Sequence, residues 1–141
     1  MTFLVQQRGD NDCVLASLAM AKGVEWGDLW TQADLDKVSA DKGVGDIDPW
    51  MKRLGWVQGE HYMPTYCRGE MNNVHRLLWK RRALLSVSSL NNSGGSHMVF
   101  WDGDRIWDPH EGHWHLGHQF FRHLSTTQIS QAFLLLPTPH N

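Results

Sequence analysis

The stretch QQRGDNDCVLASLAMAKGV, from Gln6 to Val24, changes character at Cys13. Before the cysteine the residues are polar and turn-forming; after it they are almost all apolar. Asn11 and Asp12 supply N-cap chemistry and Gly23 supplies a C-terminal stop, so the stretch predicts a helix from Cys13 to Lys22. Val14, Leu15, Ala16, Leu18, Ala19 and Met20 leave that helix apolar nearly all round, which marks it as central and buried. Cys13 stands at its head. In the first turn of a helix a sulfur lies near unpaired backbone N–H groups and the positive end of the helix dipole, and both favour the thiolate, the nucleophilic form. A small hydrophobe that begins a buried helix is the competing reading, and position alone does not choose between them.

Working outward, FLVQQ (3–7) reads as a strand or an extended arm. Thr31 with Asp34 resembles a capping box before a short helix. In GDIDPWMKRLGW, Asp48 is expected to cap, Pro49 to take the first helical position and Gly55 to stop the helix. Met71, Val74, Leu77 and Leu78 form one stripe of an amphipathic helix over 70–81. The texture then changes to ALLSVSSL (83–90), a strand, and NNSGGS (91–96), a turn or loop. HMVFW and RIWD read as strands joined by Asp102-Gly103, a two-residue hairpin signal. STTQIS suits a short capped helical turn, and AFLLL (132–136) a buried strand stopped by Pro137. Helices come first and strands second, which predicts an α+β fold with a central helix packed on an antiparallel sheet.

Bulk properties narrow the function. At 141 residues, with neither repeats nor low-complexity tracts, the chain reads as one domain, 1–141. A formal net charge of -2 gives no reason to expect nucleic acid or an anionic membrane as partner. No apolar run approaches the roughly 20 residues that span a bilayer, and MTFLVQQRGD lacks the pattern of a signal peptide. The expected location is therefore cytoplasmic. Two cysteines, Cys13 and Cys67, cannot build a disulfide framework, and a reducing compartment would leave both as thiols. The eight tryptophans are read as rings that fill a small core.

The hairpin bears on Cys13. With Asp102 and Gly103 as the loop, Trp101 faces Asp104, and His97 falls directly opposite Asp108. Such partners have Cβ atoms about 4.5–5.5 Å apart. A carboxylate beside an imidazole fixes its tautomer and stabilises the imidazolium, as a nucleophile–base pair requires. A bulged or longer loop would break this register, and a cross-strand His–Asp pair on a solvated face is the bland alternative. Gly94-Gly95-Ser96 leaves room before His97 for a substrate backbone. Gln7, upstream of Cys13, could donate its side-chain amide to a developing oxyanion together with the Cys13 N–H.

Together, Gln7-x4-Asp12-Cys13-x2-Ala16-x-Leu18-Ala19-Met20, His97-x-Val99 and Asp108-Pro109 resemble papain-like cysteine peptidases. The resemblance is closest to the peptidase domain of bacteriocin-processing ABC transporters and its free-standing relatives, the double-glycine peptidase-like family. It implies a papain-like fold, with Cys13 as nucleophile, His97 as general base and acid, Asp108 as the residue that orients His97, and Gln7 as oxyanion-hole donor. It implies no cofactor, and a peptide or protein substrate, with a glycine-rich peptide as one candidate. Val14 stands where the family often has glycine, and the export role of the transporters is not carried over.

Other readings stay open. Transglutaminases, arylamine acetyltransferases and cell-wall amidases use the same triad order to pass an acyl group to an amine or water. A binding module that keeps the fold without catalysis is the non-enzyme alternative. His110-x2-His113-x-His115-x2-His118 is dense enough to suggest a metal site, with His123, Glu111 or His61 as further ligands; a polar loop is the plainer reading, and no metal is assigned. Cys67, beside Arg68, has no base near it in sequence and reads as structural or incidental. Trp101, Trp107, Trp114, Phe120 and Phe121 could line a cleft, although a core needs the same residues.

Overall fold

A computed structural model of the chain describes residues 3–65, 69–70, 76–88, 96–110, 114–116 and 128–137. Its architecture is mixed helix and antiparallel sheet, helices first. Four helices come in order: α1 (Cys13–Lys22), α2 (Trp26–Leu29), α3 (Gln32–Ala40) and α4 (Asp48–Arg53). The strands are β1 (Tyr62–Thr65), β2 (Gly69–Glu70), β3 (Ala83–Ser88), β4 (Ser96–Trp101), β5 (Arg105–Trp107), β6 (Trp114–Leu116) and β7 (Gln128–Leu135). They pair in the order β1-β7-β3-β4-β5-β6, with β2 also on β7.

α1 has the predicted bounds, and every residue from Val14 to Ala21 is buried. Full burial of a Leu or Met side chain contributes about 1.5–3 kcal/mol, so this helix anchors the core. Gly23 takes a left-handed conformation, φ 72°, and ends it: Gly23 N–H donates to the Met20 carbonyl and Val24 N–H to that of Ala19. Trp30 Nε1–H donates to the Leu15 carbonyl at 2.8 Å, tying the helical layer to α1. Trp26, Trp30, Trp50 and Trp101 are buried, as the ring-filled core predicts.

Both sheet faces are covered. Leu84, Met98, Phe100, Phe133 and Leu135 join the α1 core. Leu85, Val87, Val99, Trp101, Ile106 and Ile129 form a second cluster with Leu78, whose carbonyl accepts from Trp101 Nε1–H at 2.7 Å. The alternation of β3 and β4 between these clusters is the period-two pattern of a strand. Pro64 is tolerated in β1 because that strand is an edge.

Several sequence expectations need correction. The 70–81 helix is shorter than its stripe suggested: Gly69–Glu70 pair with β7, residues 76–78 are helical, and 71–75 lie outside the described residues. Leu77, placed on the apolar stripe, is exposed while Leu78 is buried, because only one side of this short turn meets the sheet. Gln128 to Ser130 are strand rather than helical turn, since pairing extends β7 back through them; 125–127 lie outside the described residues. Asp48 does not cap α4 but begins it; its N–H donates to Asp46 Oδ1 and its Oδ1 accepts from Tyr62 O–H.

The hairpin register also differs. Trp101 faces Ile106 and Phe100 faces Trp107, two residues away from the expected pairing. Asp102 N–H donates to the Arg105 carbonyl, so the loop is Gly103-Asp104. Asp102 Oδ1 accepts from the N–H groups of Asp104 and Arg105, and Oδ2 from Trp107 Nε1–H, which pulls Asp102 into the ladder. Gly103 carries φ 105°, and a Cβ there would come within 3.1–3.3 Å of Lys80 and Arg81 backbone atoms. Glycine is therefore required at the first loop position.

Candidate active site

Helix α1 is fastened to β4 by a buried hydroxyl: Ser17 Oγ–H donates to the Met98 carbonyl at 3.3 Å. Cys13 lies about one helical turn before Ser17 and on the same face, about 6 Å along the axis. His97 immediately precedes Met98. The contact that docks helix on strand thus brings the head of α1 to the start of β4. Cys13, a free and partly exposed thiol, lies beside the His97 imidazole there, close enough to help raise its pKa.

On its other side the imidazole meets Asp108: His97 Nε2 lies 2.6 Å from Asp108 Oδ1. That contact leaves Nδ1 as the ring nitrogen for Cys13. With the observed register, Asp108 is a diagonal neighbour of His97 rather than its direct partner. A shift of two residues keeps a side chain on the same face, whereas a shift of one would have removed it. Asp108 Oδ1 also accepts from His110 N–H at 2.9 Å, and the His110 ring stands edge-on to His97, centroids 6.3 Å apart.

Burial is the largest single influence on His97 and pulls its pKa down. Asp108, through its hydrogen bond and its charge, and the neighbouring Cys13 outweigh it and raise the value to about 9. The imidazole, 19% exposed, is accordingly a cation at neutral pH, between a carboxylate and a thiol. Such a cation stabilises thiolate, and it holds a proton that a leaving amine can take.

Gln7 is placed differently. Its N–H donates to the Pro109 carbonyl at 2.9 Å, which joins its segment to the one that carries Asp108. Its Nε2 donates to the Gly9 carbonyl at 2.6 Å, and its buried Oε1 has no hydrogen-bond partner among the described residues. A primary amide has a second N–H on Nε2, free of the Gly9 contact. Cys13 and His97 line a cleft of about 550 Å³ with Asn11, Asp46, Gln131 and Phe133; Gln7 is not part of its wall. Cys13, His97 and Asp108 are thus brought together, with Gln7 beside them through backbone pairing.

Asp12 was expected to cap α1, and its side chain makes no cap hydrogen bond. Its buried carboxylate turns back instead. Oδ1 accepts from Gly9 N–H at 2.8 Å, and Oδ2 accepts from Arg8 N–H and Trp26 Nε1–H, both at 2.9 Å. Asp12 and Ser17 are the site-supporting residues that sequence reasoning missed. Ser17 carried a signal, as a lone hydroxyl inside an otherwise apolar helix must find an acceptor. The role of Asp12 depends on Trp26, whose approach is tertiary.

No group of three or more His, Cys, Asp or Glu side chains that could hold a metal occurs among the described residues. His113, His118, His123 and Glu111 of the proposed cluster lie outside the described residues, as does Cys67. His61 Nδ1 accepts from Val57 N–H within its own turn. Among the described residues no helix is long and apolar enough to cross a membrane. Comparison of the chain with protein-family models, curated proteins and solved structures finds no match.

Proposed function

We propose that this chain is a thiol hydrolase, a papain-like cysteine peptidase that cleaves a peptide or isopeptide amide bond and works in the cytoplasm without a cofactor. The observation that carries the reading is the imidazole of His97, held at 2.6 Å by Asp108 on the wall of the cleft that it shares with Cys13. Cys13 Sγ attacks the substrate carbonyl carbon, forming a C–S bond and an oxyanion. The Cys13 N–H and the free N–H of Gln7 Nε2 receive that oxyanion. As the intermediate collapses the C–N bond breaks, and His97 Nδ1 gives its proton to the departing amine. Water, deprotonated by His97, then cleaves the thioester and restores the thiol. The half-exposed position of Cys13 at the wall of the cleft, with Val14 to Ala21 buried behind it, supports a reactive rather than a packing role.

Iodoacetamide labelling at pH 6, followed residue by residue by mass spectrometry, tests the activated thiol. Cys13 is expected to react at least about ten times faster than Cys67, and His97→Ala to remove that advantage. Equal rates at the two cysteines, or labelling of Cys13 indifferent to His97→Ala, would overturn the reading.

A further inference from the structure

We infer that Asp12 is a positioning residue that keeps the head of α1 open for the substrate's oxyanion, an inference that rests on the acyl-transfer reading of Cys13. An aspartate immediately before a helix ordinarily turns its carboxylate onto the N–H groups of the second or third helical residue. Here those residues are Val14 and Leu15, and a carboxylate on them would put negative charge where an oxyanion bound by the first turn must sit. Asp12 avoids this because its oxygens are already committed elsewhere.

Three donors accomplish that commitment. Gly9 N–H holds Oδ1, while Arg8 N–H and Trp26 Nε1–H hold Oδ2. Asp12 is fully buried, so these partners are what stabilise its charge. Arg8 reinforces the arrangement: its guanidinium lies 4.3 Å over the Trp26 ring whose N–H binds the carboxylate. The same bonds fix Gly9, whose carbonyl accepts from Gln7 Nε2 at 2.6 Å. One carboxylate thereby withholds a cap from the Cys13 turn and sets the place of the side-chain amide beside it.

The test separates two reactions of one sulfur. Alkylation by iodoacetamide displaces iodide at a saturated carbon and develops no oxyanion. Acylation by 4-nitrophenyl acetate forms a C–S bond through an oxyanion and releases 4-nitrophenolate. Both rates are measured at pH 7 on wild type, Asp12→Asn and Trp26→Phe. In Asp12→Asn the amide cannot accept from all three donors, and acylation of Cys13 is expected to fall about 10- to 100-fold with alkylation within two-fold of wild type. Trp26→Phe removes one donor and keeps the carboxylate; it reads the same split, several-fold, should Asp12→Asn fail to fold. Acylation unchanged in a folded variant, or acylation and alkylation falling together, overturns the role of Asp12. Wild-type Cys13 that acylates no faster than Cys67 instead overturns the acyl-transfer reading itself.

Discussion

The N-termini of α3 and α1 begin with similar residues and end in opposite states. At α3, Thr31 Oγ1 accepts from Asp34 N–H at 3.3 Å and Asp34 Oδ2 accepts from Thr31 N–H at 2.9 Å. Arg53 then grips both Asp34 oxygens, at 2.8 and 3.1 Å, and this hydrogen-bonded guanidinium holds the Asp34 carboxyl below its ordinary range despite partial burial. The turn is closed by its own side chains. At α1 the aspartate looks away, and no cap side chain takes a first-turn N–H. A closed turn contributes stability; an open one beside a thiol forgoes part of it and gains a place for developing negative charge. What separates them is the set of donors that turns Asp12 back: the N–H groups of Arg8 and Gly9 and the buried indole of Trp26.

The sharpest way to break the contrast is to remove the sulfur. Cys13→Ala is expected to lower hydrolysis by at least about 1000-fold while shifting the melting temperature by no more than about 2 °C, because a partly exposed thiol contributes little packing. A large thermal loss measured by calorimetry would return Cys13 to the core. Titrating His97 has a smaller, graded effect. Its proton is held to about pH 9 in the folded chain against 6.5 for an ordinary imidazole. Hydrolysis should therefore fall about ten-fold per pH unit above 9, as the leaving amine loses its donor. The stability due to this shift is fully present below about pH 6.5 and disappears as the pH rises through about 9. Urea midpoints at pH 6, 8 and 10 should register it in wild type and not in His97→Ala. Thr31→Ala gives the smallest effect and the reverse pattern: a loss of about 1 kcal/mol in urea unfolding with hydrolysis unchanged. Activity that fell with Thr31 would erase the distinction between the two turns.

The sequence made α1 legible because its signals are local: a polar approach, an apolar run and a glycine that reverses the chain. The α3 capping box was legible for the same reason. Strand β4 and the presence of a tight turn near Gly103 could also be read, but the register could not. Asp102 can serve as a loop residue or as the last ladder residue, and its contacts to Arg105 and Trp107 decide for the ladder. The His97–Asp108 contact tolerated that error because it was an even number of residues. Asp12 was out of reach, since its position before the helix says cap, whereas the backbone of Arg8 and Gly9 and a tryptophan fourteen residues away turn it back.

The hairpin tip at 102–105 carries a consequence for anyone who would alter this chain. Exposed two-residue turns are ordinarily the places chosen to splice in a tag, a reporter or new termini. Here the tip is seated against the 80–81 backbone, with Lys80 N–H donating to the Gly103 carbonyl at 2.8 Å, and it counts out the residues between the imidazole and its carboxylate. One added residue would turn Asp108 to the opposite side of the ribbon. The tip behaves as a ruler, and spliced segments belong on another edge of the molecule.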